Sequence, residues 1–183
     1  MLNLNSILGM CLSLTLFAGC ASMPESKKST QISNSAFNYG IPHVKRSLLM
    51  VSDIDRSLII YRDVLGFEAS EIVQTDENSF SYPVFNVPKE GKMRYVFLNE
   101  PDETRVLRLT EVTGVDLPSL PNRPYMNTTV IAIDGLEDKF ETLKSMGLEL
   151  TPIKQAKGVD FYFIEQGFID FDGHLIFCYE ILQ

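Results

Sequence analysis

Val51-Ser-Asp-Ile-Asp-Arg-Ser-Leu-Ile-Ile-Tyr-Arg-Asp-Val-Leu-Gly-Phe67 is matched, about eighty positions on, by Ile133-Asp-Gly-Leu-Glu-Asp-Lys-Phe-Glu-Thr-Leu-Lys-Ser-Met-Gly-Leu148. Few side chains are identical, yet the plan is the same. An apolar strand runs into an acidic turn, then into an amphipathic helix that stops at Leu-Gly-Phe or Met-Gly-Leu. A repeat on this scale decides the fold before any local reading does. It predicts two equivalent modules that build one structure between them.

Working outward, Val44–Val51 reads as the first strand, with Arg46, Leu48 and Met50 on one face by alternation. Asp53 is placed to cap a helix whose Ile54, Leu58, Tyr61 and Leu65 share one stripe, and Gly66 ends it. Strands are expected around 67–74, 93–99 and 105–112, with Pro83 and Pro88 marking irregular chain between the first two. Three prolines forbid regular helix in Leu117–Pro124, which serves as the linker. The second half repeats the order: a strand at 127–133, a helix at 136–145, then strands around 148–153, 161–165 and 175–181. Gly167–Gly173 is expected to be a turn. Each half is thus β-α-β-β-β, and neither can bury both faces of its sheet alone. The fold class is α+β, with two modules pairing into a cup-shaped mixed sheet and helices outside.

The expected boundaries are a leader over 1–19, a tether over 20–40, and a body over 41–183. The body divides into module one (41–114), a linker (115–124) and module two (125–183). Residues 7–18 are almost wholly apolar but too short to span a bilayer, and they end in Phe17-Ala-Gly-Cys20. Small residues before a cysteine resemble the lipobox of bacterial lipoproteins, in which the cysteine carries the lipid. That resemblance implies a signal peptide, lipidation of Cys20, and a membrane-anchored protein of the bacterial envelope facing the periplasm. Cys11 then leaves with the leader and Cys178 stands alone in the body, so no internal disulfide forms. The net charge of −8 argues against a nucleic-acid partner.

The strand–Val-Ser-Asp-Ile-Asp-Arg-Ser-Leu–helix–Leu-Gly-Phe67 pattern, with Asp170-Phe-Asp-Gly-His174 before the final apolar strand, resembles the vicinal oxygen chelate superfamily. That group holds glyoxalases, extradiol dioxygenases, and bleomycin and fosfomycin resistance proteins. The resemblance covers about residues 43–183 and is specific for fold rather than for chemistry. It implies a divalent metal held by residues on the first and last strands of each module. Carried over, those positions fall on Arg46, Glu111, Thr128 (or Asn127 if the alignment slips by one) and Phe177. An arginine has no lone pair to give, threonine is a poor ligand and phenylalanine is none, so Glu111 is the sole metal candidate. His43 precedes the strand, and His174 belongs to a turn.

The expected site is therefore a metal-free, cofactor-free small-molecule pocket formed by Arg46, Leu48, Met50, Glu111, Thr128, Phe177 and Tyr179, with Leu107 and Leu109 on the same inner face. Arg46 either pairs with Glu111 across the cup or binds a carboxylate or phosphate of the ligand. The alternative is a glyoxalase- or dioxygenase-like enzyme with a divergent metal site around Glu111 and Asn127 or His43. A third reading is a partner-binding lipoprotein, with residues 74–92 as a partner surface or a cover over the cavity. Whether the modules pair within one chain or swap in a homodimer stays open.

Overall fold

The computed structural model describes residues 44–118 and 124–182. The leader, Cys20, the tether, His43 and the centre of the linker lie outside the described residues. Residues His43–Gln183 form one compact unit. Strand β1 (Ser47–Val51) leads to Asp53, whose extended backbone and carboxylate cap helix α1 (Ile54–Leu58) by accepting from the Arg56 N–H at 3.0 Å. The chain continues as a π-helical segment, Ile59–Val64, where the sequence spacing predicts plain α-helix. The wider turn carries Ile60 and Tyr61 inward together, and both are fully buried. Gly66, at φ +94°, ends the helix in the left-handed region.

Module one continues through β2 (Glu68–Ala69), β3 (Val73–Gln74), α2 (Ser81–Phe85), β4 (Lys92–Asn99) and β5 (Leu107–Thr113). Module two runs β6 (Thr129–Ala132), α3 (Leu136–Ser145), β7 (Glu149–Leu150), β8 (Lys154–Lys157), β9 (Tyr162–Ile169) and β10 (Leu175–Leu182). The two sheets follow the same order, β1-β5-β4-β2 and β6-β10-β9-β7, with β3 and β8 each added to the middle strand. In each sheet the first and last strands are parallel neighbours and the rest are antiparallel. The strand expected at 67–74 is split in two, and so is its counterpart in module two, where Pro152 falls in the gap and offers no N–H to a ladder. The turn expected at 167–173 is shorter. Gly167–Ile169 belongs to β9 because Phe168 is buried against Phe140, their ring centroids 5.9 Å apart.

One continuous apolar core lies on the helix side of both sheets. Leu49, Val51, Val96, Leu98, Leu107 and Leu109 meet the stripe of α1, while Ile131, Ile164, Phe168, Ile176 and Cys178 meet Leu136, Phe140 and Leu143 of α3. Burial pushes the Cys178 thiol up to about 12, so it is inert at neutral pH. The Asp170–His174 turn of module two crosses to module one. Tyr61 Oη donates to Asp170 at 2.8 Å in the interior, Ser52 gives its N–H and hydroxyl to Asp172, and His174 Nε2 donates to the Met50 carbonyl at 2.7 Å. Burial raises both Tyr61 and Asp170 above their ordinary values.

This packing corrects the placement of Glu111, Leu107 and Leu109. All three point to the helix side of β5, away from Arg46. Glu111 accepts the first free N–H of α1, from Ile54, at 2.9 Å, and takes Arg94 in a two-pronged ion pair at 2.7 and 2.8 Å. Glu180, on the last strand of module two, does the equivalent work by accepting the N–H groups of Gly135 and Leu136 at the start of α3, at 2.9 and 2.8 Å. The repeat has thus kept a strand carboxylate as the cap of each module's helix, where unpaired N–H groups and the helix dipole both favour a negative charge. Glu111→Gln removes the charge from both the cap and the ion pair. It is expected to destabilise by about 2 kcal/mol in denaturant unfolding, more than Glu180→Gln at about 1 kcal/mol, because the second variant strands no partner like Arg94.

Candidate functional site

The face of sheet one turned away from the helices is set by the register. Leu48, Arg108 and Phe97 form one row across β1, β5 and β4; Met50, Thr110 and Tyr95 form the next; Val112 and Met93 the third. Arg46 precedes this face on the β1 side. Three guanidinium groups gather on the Phe97 ring: Arg46 at 4.7 Å, Arg105 at 4.9 Å and Arg108 at 5.9 Å. Arg108 also covers Tyr95 at 4.2 Å. Arg105 is held at φ +61°, a left-handed backbone that is uncommon for a side chain of its size. Its N–H is fastened to Asn99 Oδ1 at 2.7 Å.

Among the described residues no ion pair reaches this cluster. Among the described residues the arginines that form ion pairs are Arg56, Arg62 and Arg94, and the Glu111 and Asp55 carboxylates are both committed to Arg94. Burial pulls the Arg108 guanidinium below the ordinary arginine value; the Tyr95 hydroxyl opposes this and the Arg46 charge adds to it. An arginine nonetheless stays protonated, so the face keeps its positive charge. Five of the six buried side-chain polar atoms without a hydrogen-bond partner among the described residues belong to module one; one is Arg56 Nε in α1, and the other four lie on or beside this face: Arg108 Nε and Nη2, Thr110 Oγ1 and Thr75 Oγ1. Thr75 follows β3 and pairs its N–H with the Met93 carbonyl, in the third row. Native interiors leave few polar groups unpaired, and this face carries four of them.

Of the residues expected at the site, Arg46, Leu48 and Met50 lie on this face. Thr128 lies across the module boundary, where it shares with Leu48 and His174 a cavity of about 280 Å³ that Asn127 also borders. Phe177 and Tyr179 are on the same face of sheet two as Val130 and Ala132, and neither borders that cavity. Arg108, Thr110, Tyr95 and Phe97 are absent from the sequence expectation. Alternation through 105–112 carried the signal: if the apolar Leu107 and Leu109 face the core, Arg108 and Thr110 must face away from it.

With the fold and this face in place, the comparisons with known proteins are direct. The sequence profile of the Glyoxalase/Bleomycin resistance protein/Dioxygenase superfamily matches residues 40–177, and the chain belongs to that superfamily. A glyoxalase family protein from Bacillus cereus has the same fold, with a TM-score of 0.61 at 14% identity over 76% of this chain and 93% of its own. A fosfomycin resistance protein from Listeria monocytogenes, solved with Mn(II) and sulfate, gives 0.50 at 15% identity over 76% and 93%. A glyoxalase/bleomycin resistance/dioxygenase domain from Frankia sp. gives 0.51 at 17% identity over 78% and 94%. Identities this low establish a common fold. No curated protein sequence matches the chain.

Among the described residues, the positions that the resemblance assigns to a divalent metal do not come together to hold one. The described residues contain no group of three or more His, Cys, Asp and Glu side chains placed to hold an ion. Glu111, the metal candidate from the sequence, is spent on α1 and Arg94 on the far side of its strand. In its place on the open face stands Arg108, which repels a cation. A half-buried guanidinium with unpaired N–H groups strains the fold that carries it, and an apolar residue of similar length removes the strain. Arg108→Met is therefore expected to leave the unfolding midpoint unchanged or to raise it by up to about 1 kcal/mol in stability, measured by denaturant titration.

Proposed function

We propose that this chain is a lipid-tethered member of the superfamily that binds a small organic anion on the open face of module one, without a resident divalent metal. The observation that carries the reading is Arg108, a partly buried cation with two unpaired N–H groups beside a second uncompensated cation, Arg46. A ligand oxyanion supplies the acceptors that the protein withholds, and the Tyr95 and Phe97 rings supply an apolar wall. The sequence supports the tether through Cys20 and the apolar run before it. Among the described residues no helix is long and apolar enough to cross a membrane.

Thermal unfolding of the full-length chain in detergent, with Mn²⁺, Ni²⁺ or Zn²⁺ on one side and a panel of small carboxylates, phosphates and phosphonates on the other, tests the pocket. Saturation at about 100 times the dissociation constant adds about 2.7 kcal/mol, a shift of several degrees. The expected result is stabilisation by an anion, lost in Arg108→Met, and none by metal. Stabilisation by a metal alone would overturn the reading. For the tether, Cys20→Ser is expected to abolish labelling by radioactive palmitate and move the protein out of the membrane fraction. Unchanged labelling would remove Cys20 from the account.

A further inference from the structure

Helix α2 lies over the open face of module one, and its side chains stand in for a ligand that they imitate only in part. Tyr82 is buried on Met93 and Val112, while Phe85 and Val87 complete this second apolar cluster with Met50, Val115 and Leu117. The Phe85 ring is 6.0 Å from the Arg108 guanidinium. It gives Arg108 a third aromatic ring, after Tyr95 and Phe97, but no oxygen, and on the same face of β5 the hydroxyl of the fully buried Thr110 has no partner either. The segment is also loosely held. It has five helical residues, a proline within them, a left-handed Asn86 at φ 52° behind them, and Phe80 and Val84 are 79% and 56% exposed. A short element held to the sheet by one buried side chain and a few half-buried ones opens at lower free energy than the strands beneath it.

We propose that α2 is a displaceable plug, and that its competitor is an aromatic carboxylate. The inference rests on the anion-binding reading of the same face and narrows it. The Nε–Nη2 edge of Arg108 is the side of a guanidinium that accepts a flat, two-oxygen anion in parallel hydrogen bonds. A ring attached to that anion takes over the Phe85 surface, and a further oxygen on the ring reaches Thr110. The ligand thus offers what Phe85 offers and satisfies the polar atoms that Phe85 leaves unpaired. That difference in contacts is what shifts the equilibrium from plugged to open.

Hydrogen exchange of the full-length chain in detergent tests this with 4-hydroxybenzoate and phenylacetate as probes, against cyclohexanol and inorganic phosphate. The aromatic carboxylates are expected to speed exchange across Ser81–Val87 and slow it in β5, and the other two to do neither. Phe85→Ala, which weakens the plug, is expected to bind the probes about tenfold more tightly, and Arg108→Met to lose them. Binding that slows exchange in α2, or that weakens in Phe85→Ala, makes α2 part of the pocket wall and overturns the plug while the anion site stands. If neither the native chain nor Phe85→Ala binds the aromatic carboxylates, the ligand class is wrong. Arg108-dependent stabilisation by a phosphate or phosphonate then shows that the broader reading survives, and its absence across the whole anion panel ends both.

Discussion

The carboxylate of Glu111 governs both the build of module one and the charge of its open face. By taking the Ile54 N–H and both prongs of Arg94, it fixes the start of α1 on β5 and anchors the helix layer to the sheet. The same commitment, shared with Asp55, keeps negative charge on the helix side of the sheet. Arg46 and Arg108 on the opposite side are left with aromatic rings as partners. A structural ion pair on one face thus leaves an unbalanced cation pair on the other. In a chain of net charge −8, that imbalance is a local departure from the general surface.

The join between modules has a different character. Besides the shared apolar core, it uses a five-residue turn whose acidic side chains are received by Tyr61, Ser52 and Arg56, with His174 closing on a backbone carbonyl. Desolvation works against the Asp170 charge, and His174, the Tyr61 hydroxyl and the turn's own N–H groups offset it only in part. This contact sits beside the seam cavity that Leu48 and Thr128 line, and His174 belongs to both.

Much of the architecture was legible because it follows from short-range rules. The Asp53 cap, the Ile54–Leu58–Tyr61–Leu65 stripe, the glycine stops and the whole of α3 appear where the spacing placed them. The π-helical stretch was not legible, since the stripe spacing of an α-helix fits Ile59–Val64 equally well and only the demand to bury Ile60 beside Tyr61 widens it. The site was half legible. Arg46, Leu48 and Met50 follow from alternation in a strand whose inward face is plain, but β5 was read one residue out of phase by assuming that its carboxylate faced the ligand. The repeat held the corrective: Glu180 occupies the matching strand of module two and caps the matching helix.

By itself the sequence determined that there are two equivalent β-α-β-β-β modules, that each module's helix ends at a glycine, and that Arg46, Leu48 and Met50 share one face of the first strand. Those are properties of periodicity and residue chemistry, and they need no third dimension. Only the tertiary structure decided which side of β5 faces the core, and hence that Arg108 and Thr110 rather than Glu111 front the open face. Only it placed α2 over them. Strand phase is set by what the neighbouring helix requires, and a helix N-terminus attracts a carboxylate more strongly than an open apolar face can.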